Sequence, residues 1–231
     1  MKKITLSDGS YSTFEYNAKG LLQKRVNKLD DGSLETILYA YDAKDRISKI
    51  KTGGEGSEEY RLTYAVDAYG NEVLQKAGHY VSNILVNEYK FYFNAQKQLI
   101  LQEDFIVLSN GQDEKISKIE FSYHQDGNLK EERHFQNNLG TTEMEWYKSV
   151  YYEEYDDQTK PDALSDVHPL LPIALIMKNN PLQISTVGEA GLDNITEKYE
   201  FTYDAVGKPL TVKIRITGGI NLQLEGSFQY H

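Results

Sequence analysis

The sequence predicts an all-β protein: a long antiparallel, up-and-down meander of hairpin repeats that closes into a curved, water-soluble β-barrel. Three observations predict this class. A short motif of alternate aromatic residues, Asn or Asp and then Gly recurs along the chain, apolar and polar residues alternate between the copies, and tyrosine is frequent, at 18 of 231 residues. We expect one repeat-built domain over residues 1–231, with one insertion at residues 160–182.

The recurring motif reads aromatic, any residue, aromatic, Asn or Asp, two residues, Gly. Alternate aromatic side chains share one face of a strand, Asn or Asp bonds the backbone of a turn, and Gly supplies the positive φ that a turn with a following bulge requires. Each copy is therefore predicted to be a hairpin, with weaker turns where Asp45 and Lys97 replace Gly. The plain copies are residues 14–20, 39–45, 64–70, 91–97, 121–127 and 201–207, followed by weaker copies at 153–157 and 228–231.

The residues after each turn alternate in polarity, as expected for an antiparallel strand with one apolar face. The predicted apolar faces are Leu210, Val212, Ile214 and Ile216 in one strand and Leu99, Leu101, Phe105 and Val107 in another. Two strands in each repeat of about 25 to 30 residues give roughly 14 or 15 strands. Such a sheet must curl, because its strands twist and its apolar face must be buried.

One interval between copies is longer than the others and contains four of the five prolines. We interpret residues 160–182 as an insertion into a repeat, which acts as a core plug or as a lid over a ligand site. Pro172 suits a first helical turn, so Ile173 to Asn179 is a candidate short helix. The candidate plug or lid residues are Leu170, Leu171, Ile173, Leu175, Ile176 and Met177.

The repeats resemble the tyrosine-aspartate repeats of Rhs-type and teneurin-type shells, whose pattern is matched at Tyr41-Asp42 and Tyr203-Asp204. In length, in repeat layout and in the segments Asp156 to Pro181 and Glu197 to Asp204, the chain resembles a family of secreted lipoproteins from Gram-negative gut bacteria. That family is classed as a domain of unknown function with a porin-like fold. The resemblance covers essentially the whole chain and implies a porin-like barrel and an extracytoplasmic protein, periplasmic or on the cell surface, but no activity. The lipidated Cys of such lipoproteins has no counterpart in this sequence.

Composition excludes several classes of partner. With 35 acidic and 25 basic residues, the chain repels nucleic-acid phosphates and anionic lipid heads, so no nucleic-acid partner is expected. No signal peptide is predicted at the start of the sequence. No transmembrane helix is predicted either, because the longest apolar run, Leu170 to Met177, is short and contains Pro172. Glu103, Glu131 and Arg133 fall where an outer-membrane barrel needs an apolar band, which favours a barrel in water.

No constellation of catalytic or metal-binding residues stands out. We therefore predict that the protein is not an enzyme and uses no cofactor and no metal. The five histidines lie in no metal-ligand spacing. The segment Ser165 to His168 holds the residue types of a triad, but they are too close in sequence to converge. A hydrolase that uses a pair of carboxylates is the least favoured function.

Aromatic residues crowd the segment 146–155 beside several carboxylates. Alternation sends some of these rings to each face of the strand. Rings on the solvent side next to carboxylates are typical of a sugar-binding platform, whereas rings in cross-strand pairs cover the sheet without binding anything. The candidate ligand-binding residues are Trp146, Tyr147, Tyr151, Tyr152 and Tyr155.

The function that the sequence favours is a non-catalytic, exported binding or structural module, such as a cell-surface accessory protein. One alternative is a carrier that holds a hydrophobic or amphipathic ligand inside the barrel. Another is a glycan-binding protein that uses the aromatic platform. The expected partners are accordingly a glycan, a small amphiphile or a cell-surface protein.

Overall fold

The structure is a computed structural model that describes residues 1–53, 58–137, 143–159, 177–189, 194–219 and 221–230. This part of the chain contains sixteen β-strands. The strands are β1 (Lys3–Leu6), β2 (Tyr11–Tyr16), β3 (Leu22–Lys28), β4 (Leu34–Tyr41), β5 (Ile47–Thr52), β6 (Glu58–Val66), β7 (Glu72–Val81), β8 (Ile84–Phe93), β9 (Leu99–Val107), β10 (Asp113–Tyr123), β11 (Leu129–Asn137), β12 (Met144–Thr159), β13 (Asn179–Gly188), β14 (Ile195–Tyr203), β15 (Pro209–Gly218) and β16 (Leu222–Gln229).

The strands form one closed antiparallel barrel. Each strand pairs with its neighbours in sequence, and β1 pairs with β16 to close the ring, from Lys3 opposite Gln229 to Leu6 opposite Gly226. The predicted meander and its closure are therefore confirmed. The repeats predict about 14 or 15 strands, whereas the described residues form sixteen, because β1 precedes the first motif and supplies the closing partner of β16.

The Asn or Asp of the motif caps its own turn, as predicted. Asn17 Oδ1 accepts hydrogen bonds from the backbone N–H groups of Lys19 (2.9 Å) and Leu21 (3.0 Å). The same pair of bonds recurs at Asp42, Asp67, Asn94 and Asp204. Asp45 and Lys97, which replace Gly, adopt positive φ angles of 60° and 62°. This conformation costs an L-residue roughly 1–2 kcal/mol.

A β-bulge after the turn reverses the alternation of faces. In β9, Leu99 pairs with Phe93 and Leu101 with Tyr92, so Ile100 has no partner and the next inward residue is Gln102. The same shift occurs in the hairpins β2–β3, β4–β5, β6–β7, β10–β11 and β14–β15. Strict alternation is therefore wrong for four residues that were predicted to share the apolar inner face. The residues placed on the outer face are Leu101, Phe105, Val107 and Leu210.

A tyrosine hydroxyl joins several of the hairpins to the hairpin before it. The second aromatic residue of the motif donates to the carbonyl oxygen of the first inward residue after the preceding turn. These bonds are Tyr41 to Leu22 (2.6 Å), Tyr64 to Ile47 (2.9 Å), Tyr123 to Leu99 (2.8 Å), Tyr155 to Leu129 (2.7 Å) and Tyr230 to Pro209 (2.9 Å). In the third repeat the donor is Tyr64, the first aromatic residue of the motif, whereas Val66 stands at the second position. The hairpin of this repeat is longer, because pairing continues past Tyr64–Leu74 to Val66–Glu72.

The core lies against the inner wall near the motif turns. Ile37, Ile50 and Leu129 are fully buried. Phe14, Phe91 and Phe121 belong to the same cluster. Burial of side chains of this size contributes roughly 1.5–3 kcal/mol each. The inward aromatic positions of the motif are thus core positions, which explains why the motif recurs.

The last residues of β12 and the first residues of β13 make the hydrogen bonds of a motif turn in the seventh repeat. Asp156 Oδ1 accepts hydrogen bonds from the backbone N–H groups of Gln158 and Asn180, both at 3.0 Å. These two amides occupy the places of the second and fourth residues after the capping residue in an ordinary motif turn. Pairing resumes between Thr159 and Asn179, so residues 179–182 belong to β13. The described residues on either side of positions 160–176 are thus joined as the two arms of a motif hairpin are.

The structure describes residues 177–179 of the candidate helix Ile173 to Asn179, and these residues are not helical. The buried side chain of Asn128 explains their extended course. Its Oδ1 accepts hydrogen bonds from the N–H groups of Lys178 (2.8 Å) and Asn179 (3.1 Å), and its Nδ2 donates to Asn179 Oδ1 (2.9 Å). These bonds draw the backbone into the sheet. Residues 173–176 lie outside the described part of the chain.

The outer face carries pairs of opposite charge. Glu59 lies 3.3 Å from Lys49 and 2.6 Å from Arg61. Lys118 and Arg133 approach the carboxylate of Glu120. Further pairs join Glu103 to Lys115, Glu131 to Arg133 and Glu200 to Arg215. The described strands thus place charge where an outer-membrane barrel carries an unbroken apolar band.

Within the described ranges, no helix has the length and apolar character that would let it cross a membrane.

Candidate ligand site on the inner wall

The inner wall becomes polar immediately after the bulges of β9 and β11. Gln102 pairs with the core residue Phe91, and His134 pairs with Ile119, so both side chains point into the barrel. Both are buried, at 4% and 9% exposure. Asp104 lies two residues beyond Gln102 and therefore shares its face. Because a buried polar group is costly unless it is hydrogen-bonded, the contacts of this group of side chains matter for what it can bind.

Glu132 is the centre of a cluster formed with three other side chains. Its Oε1 accepts a hydrogen bond from the hydroxyl of Tyr152, and its Oε2 lies within hydrogen-bonding distance of His134 Nε2, both at 3.0 Å. The ring of Tyr147 meets the His134 ring edge to face, with centroids 5.9 Å apart. We call Glu132, His134, Tyr147 and Tyr152 the Glu132 cluster. It presents phenol, imidazole and carboxylate groups from two neighbouring strands.

Asp104 organises a second set of hydrogen bonds on the same wall. It accepts one from Gln102 Nε2 at 2.8 Å and one from the hydroxyl of Ser117 at 2.6 Å. The other end of the Gln102 side chain, Oε1, is buried and has no hydrogen-bond partner among the described residues. An unsatisfied buried acceptor costs roughly 1–3 kcal/mol.

The tyrosines of this wall remain protonated at neutral pH. Burial raises the pKa of Tyr147, and the charges of Asp104 and Glu132 raise it further. Burial also holds the pKa of Tyr152 well above its usual range, with Glu132 adding to the effect. For Tyr89, burial and the charge of Asp104 raise the pKa to about 12. Each of these phenols therefore keeps a hydroxyl hydrogen that a hydrogen bond can use.

A third polar group continues the wall on β6 and β7. The rings of Tyr60 and His79 are stacked, with centroids 4.5 Å apart and planes 4° apart. His79 Nε2 lies 3.2 Å from Glu58 Oε2. Tyr89, which pairs with Asp104 in the sheet, is hydrogen-bonded to Tyr60. The polar wall thus runs from β6 to β12.

The five aromatic residues singled out in the sequence lie on both sides of the barrel wall. Tyr147, Tyr152 and Tyr155 point inward, whereas Trp146 and Tyr151 pair with the outward residues Phe135 and Glu131. Their roles also differ. Trp146 Nε1 donates to the buried hydroxyl of Ser149 at 3.0 Å, and Tyr155 belongs to the series of inter-hairpin hydrogen bonds. The structure brings only Tyr147 and Tyr152 into the Glu132 cluster.

Of the six candidate plug or lid residues, the structure describes one. Met177 is buried, at 3% exposure, and belongs to the core cluster. The end of the insertion nearest to β13 is therefore anchored in the barrel. The other five, Leu170, Leu171, Ile173, Leu175 and Ile176, lie outside the described part of the chain.

Among the residues that the structure describes, no group of three or more His, Asp or Glu side chains is arranged to hold a metal ion. The segment Asp30 to Ser33 is a turn, in which Asp31 Oδ1 accepts a hydrogen bond from the N–H group of Ser33 at 2.8 Å. The segment Ser165 to His168 lies outside the described residues.

Sequence reasoning missed Gln102, Asp104, Glu132 and His134, because strict alternation from Leu99 and Leu129 assigns these four positions to the outer face. The motif turn provides a reference point, because in four of these hairpins the bulge residue lies six positions after the capping Asn or Asp. With the bulge included, the next inward residue lies three positions after Leu99 and three after Leu129. These residues are Gln102 and Glu132.

No model of a known protein family and no curated protein matches the sequence. Among solved structures, a porin-like protein from Bacteroides uniformis is 14% identical, with a TM-score of 0.58, and the match covers 99% of this chain and 95% of that chain. A porin-like protein from Bacteroides vulgatus is 11% identical, with a TM-score of 0.48 and coverage of 100% and 98%. The likeness to the Bacteroides uniformis protein concerns the fold alone. The described residues thus form a sixteen-stranded antiparallel barrel, and the chain has a porin-like fold.

Proposed function

We propose that the chain is a non-catalytic, extracytoplasmic binding module whose ligand lies against the polar inner wall. The observation that carries this proposal is the Glu132 cluster. Its side chains come from adjacent strands, and Glu132 fixes the hydroxyl of Tyr152 by a hydrogen bond. Barrels of sixteen strands can enclose more space than their inner side chains fill, as the aqueous channels of porins illustrate. A polar wall around such a space is suited to a polar ligand.

The chemistry of the inner wall favours a polyhydroxylated ligand, such as a glycan. Phenol rings offer faces for sugar rings, protonated hydroxyls donate hydrogen bonds, and carboxylates accept them. Tyr147 provides a ring and a protonated hydroxyl, and Glu132 provides a carboxylate. This combination of groups favours a glycan over an apolar ligand.

The extracytoplasmic part of the proposal rests on the resemblance to secreted lipoproteins and on the porin-like fold. The charged outer face supports a barrel that lies in water. We place the protein in the periplasm or on the cell surface, where a binding module would meet glycans.

A second candidate function is a carrier for a hydrophobic or amphipathic ligand. Met177, at the end of the insertion, is buried in the core. This anchoring supports an insertion that acts as plug or lid for the interior. A carrier would use the same interior but would rank amphiphiles above sugars.

A thermal-shift screen of the full chain against neutral oligosaccharides and against bile-acid-like amphiphiles tests both candidates. A ligand present at a hundred times its Kd adds about 2.7 kcal/mol, which for a chain of this size is a shift of roughly 5–10 °C. We expect a shift with at least one oligosaccharide. A shift with amphiphiles alone would favour the carrier, and no shift with either panel would contradict the proposed function.

Two tyrosines of β12 provide matched variants for the location of the site. Tyr147→Phe removes an inward hydroxyl, and Tyr151→Phe removes an outward one. We expect Tyr147→Phe to weaken binding of the oligosaccharide about fivefold to tenfold, the loss of one hydrogen bond. Tyr151→Phe should bind like the original chain. Equal losses in the two variants would remove the inner wall as the site.

A further inference from the structure

Arg25 is the inward residue that follows the bulge of the first repeat, the counterpart of Gln102 and Glu132. It pairs with Phe14 on β2 and with Ile37 on β4, and both neighbours are buried core residues. Its guanidinium carbon lies 5.6 Å from the centroid of the Phe14 ring. A cation is therefore held inside the barrel, among apolar side chains.

The contacts of Arg25 satisfy its hydrogen-bonding groups only in part. Its Nε donates to Asn27 Oδ1 at 2.7 Å, and its Nη2 lies 3.4 Å from the hydroxyl of Ser12. Both partners are neutral, and among the described residues no carboxylate lies within ion-pair distance of this guanidinium. The carboxylate of the same network, Glu35, is bonded to Asn27 Nδ2 at 2.8 Å. Charges inside proteins are normally paired, so this guanidinium lacks an expected partner.

A small cavity lies beside this guanidinium. Its volume is about 210 Å³, and its lining includes Ser12, Arg25, Asn27, Tyr11 and Lys28. The ammonium groups of Lys28 and Lys3 lie 5.9 and 4.4 Å from the centre of the Tyr11 ring, on the opposite face of the sheet from Arg25. The guanidinium of Arg25 thus faces a cavity inside the barrel, in a chain whose net charge is −10.

We propose that this cavity binds an oxyanion, the carboxylate or sulfate group of an acidic ligand, and that Arg25 is its main partner. The Nη groups of a guanidinium can donate two parallel hydrogen bonds to a carboxylate or a sulfate. Arg25 Nε and the hydroxyl of Ser12 both donate to Asn27 Oδ1, so the Nη groups of Arg25 are the donors offered to the oxyanion. The site lies on β2 and β3, away from the Glu132 cluster, and does not depend on the glycan proposal.

Titration of the full chain with sodium sulfate tests the site, with sodium chloride at the same ionic strength as the reference. Binding is measured by calorimetry and by the change in Tm. We expect sulfate to raise the Tm above the chloride value. Arg25→Gln should weaken sulfate binding at least tenfold, whereas Arg25→Lys should retain part of it because a point charge remains.

Arg215→Gln is the matched control. Arg215 lies on the outer face, 3.2 Å from Glu200, so its loss removes the same charge from the chain without touching the cavity. Glu35→Gln provides an independent variant. Removing that carboxylate should tighten sulfate binding, and this result does not require the Arg25 variants to fold.

Two results would overturn the oxyanion site. One is sulfate binding that is unchanged in Arg25→Gln. The other is a loss of equal size in Arg215→Gln, which would indicate general charge screening. Galacturonate and a sulfated monosaccharide then distinguish a carboxylate site from a sulfate site. Because inorganic sulfate is the first probe, failure of the oligosaccharide screen leaves the oxyanion site standing, and the reverse also holds.

Discussion

The hydroxyl of Tyr123 donates a hydrogen bond to the carbonyl oxygen of Leu99, 2.8 Å away, and joins β10 to β9 beyond the point where their strand pairing ends. Pairing between these strands runs only from Asp113 opposite Val107 to Glu120 opposite Leu101. Four other tyrosines make the equivalent bond elsewhere in the barrel. The tyrosine of the repeat thus replaces missing ladder bonds and holds adjacent hairpins together.

Tyr123→Phe tests the contribution of this bond to stability. The substitution keeps the ring but leaves the Leu99 carbonyl without its partner, so we expect a loss of about 1–1.5 kcal/mol. Urea denaturation measures it. Tyr92→Phe is the control, because Tyr92 is exposed and donates to Glu103 on the outer face. An equal or larger loss in the control would contradict a special role for the tyrosines of the motif.

Phe93→Tyr tests the same bond by adding it. The fourth repeat carries Phe at this position, so the equivalent carbonyl oxygen, that of Leu74, receives no such hydroxyl. A cavity of about 320 Å³ lined by Val73, Gln75, Phe91 and Phe93 lies where β7 and β8 separate. We expect Phe93→Tyr to raise stability by about 0.5–1.5 kcal/mol in urea denaturation. A loss of stability would show that the new hydroxyl finds no partner.

Lys97→Gly tests the strain in the fourth turn. Lys97 has a φ of 62°, which glycine adopts without steric cost. We expect a gain of about 1 kcal/mol, smaller than the full strain because glycine also gives the unfolded chain more freedom. Ala95→Gly in the same turn should lower stability, since Ala95 does not have a positive φ. If both variants lost stability, strain at Lys97 would be excluded.

Asp42→Asn tests the acid sensitivity of the second turn. The side-chain hydrogen bond from Arg46 lowers the pKa of Asp42 from 3.8 to about 2. Because the folded pKa lies below the unfolded value, this contribution to stability is present above pH 4 and disappears as the pH falls to 2. Stability measured between pH 5 and pH 2 should therefore fall less steeply in Asp42→Asn than in the original chain.

Arg46→Gln removes the cause of that pKa shift and should reduce the same slope. Asn caps the first turn at Asn17, so Asp42→Asn should still fold. Identical pH profiles for the original chain and both variants would contradict the assignment.

The fold is readable from the sequence because each repeat contains its own turn chemistry. Asn17 and Asp42 mark turns, and Gly20 supplies the positive φ. The bulge carries no comparable mark. Its residues, Gln23, Ser48, Gln75, Ile100, Lys130 and Leu210, share no size, charge or polarity. Backbone geometry alone therefore decides which later residues point inward.

The candidate sites were hidden for the same physical reason. Gln102, Glu132 and Arg25 become inner-wall residues only through the bulge. Asn128 was also missed, because its bonds to Lys178 and Asn179 join segments that are far apart in sequence. The crowded aromatic segment did indicate Tyr147 and Tyr152 as candidates, and the structure adds Glu132 and His134 beside them.

Thiol labelling shows which residues after the bulge point into the barrel. The chain has no cysteine, so each single substitution introduces one thiol. Glu103→Cys and Glu131→Cys should react rapidly with a bulky maleimide, whereas Gln102→Cys and Glu132→Cys should react at least tenfold more slowly. Rapid labelling at positions 102 and 132 with protection at 103 and 131 would contradict the polar inner wall and both sites proposed on it.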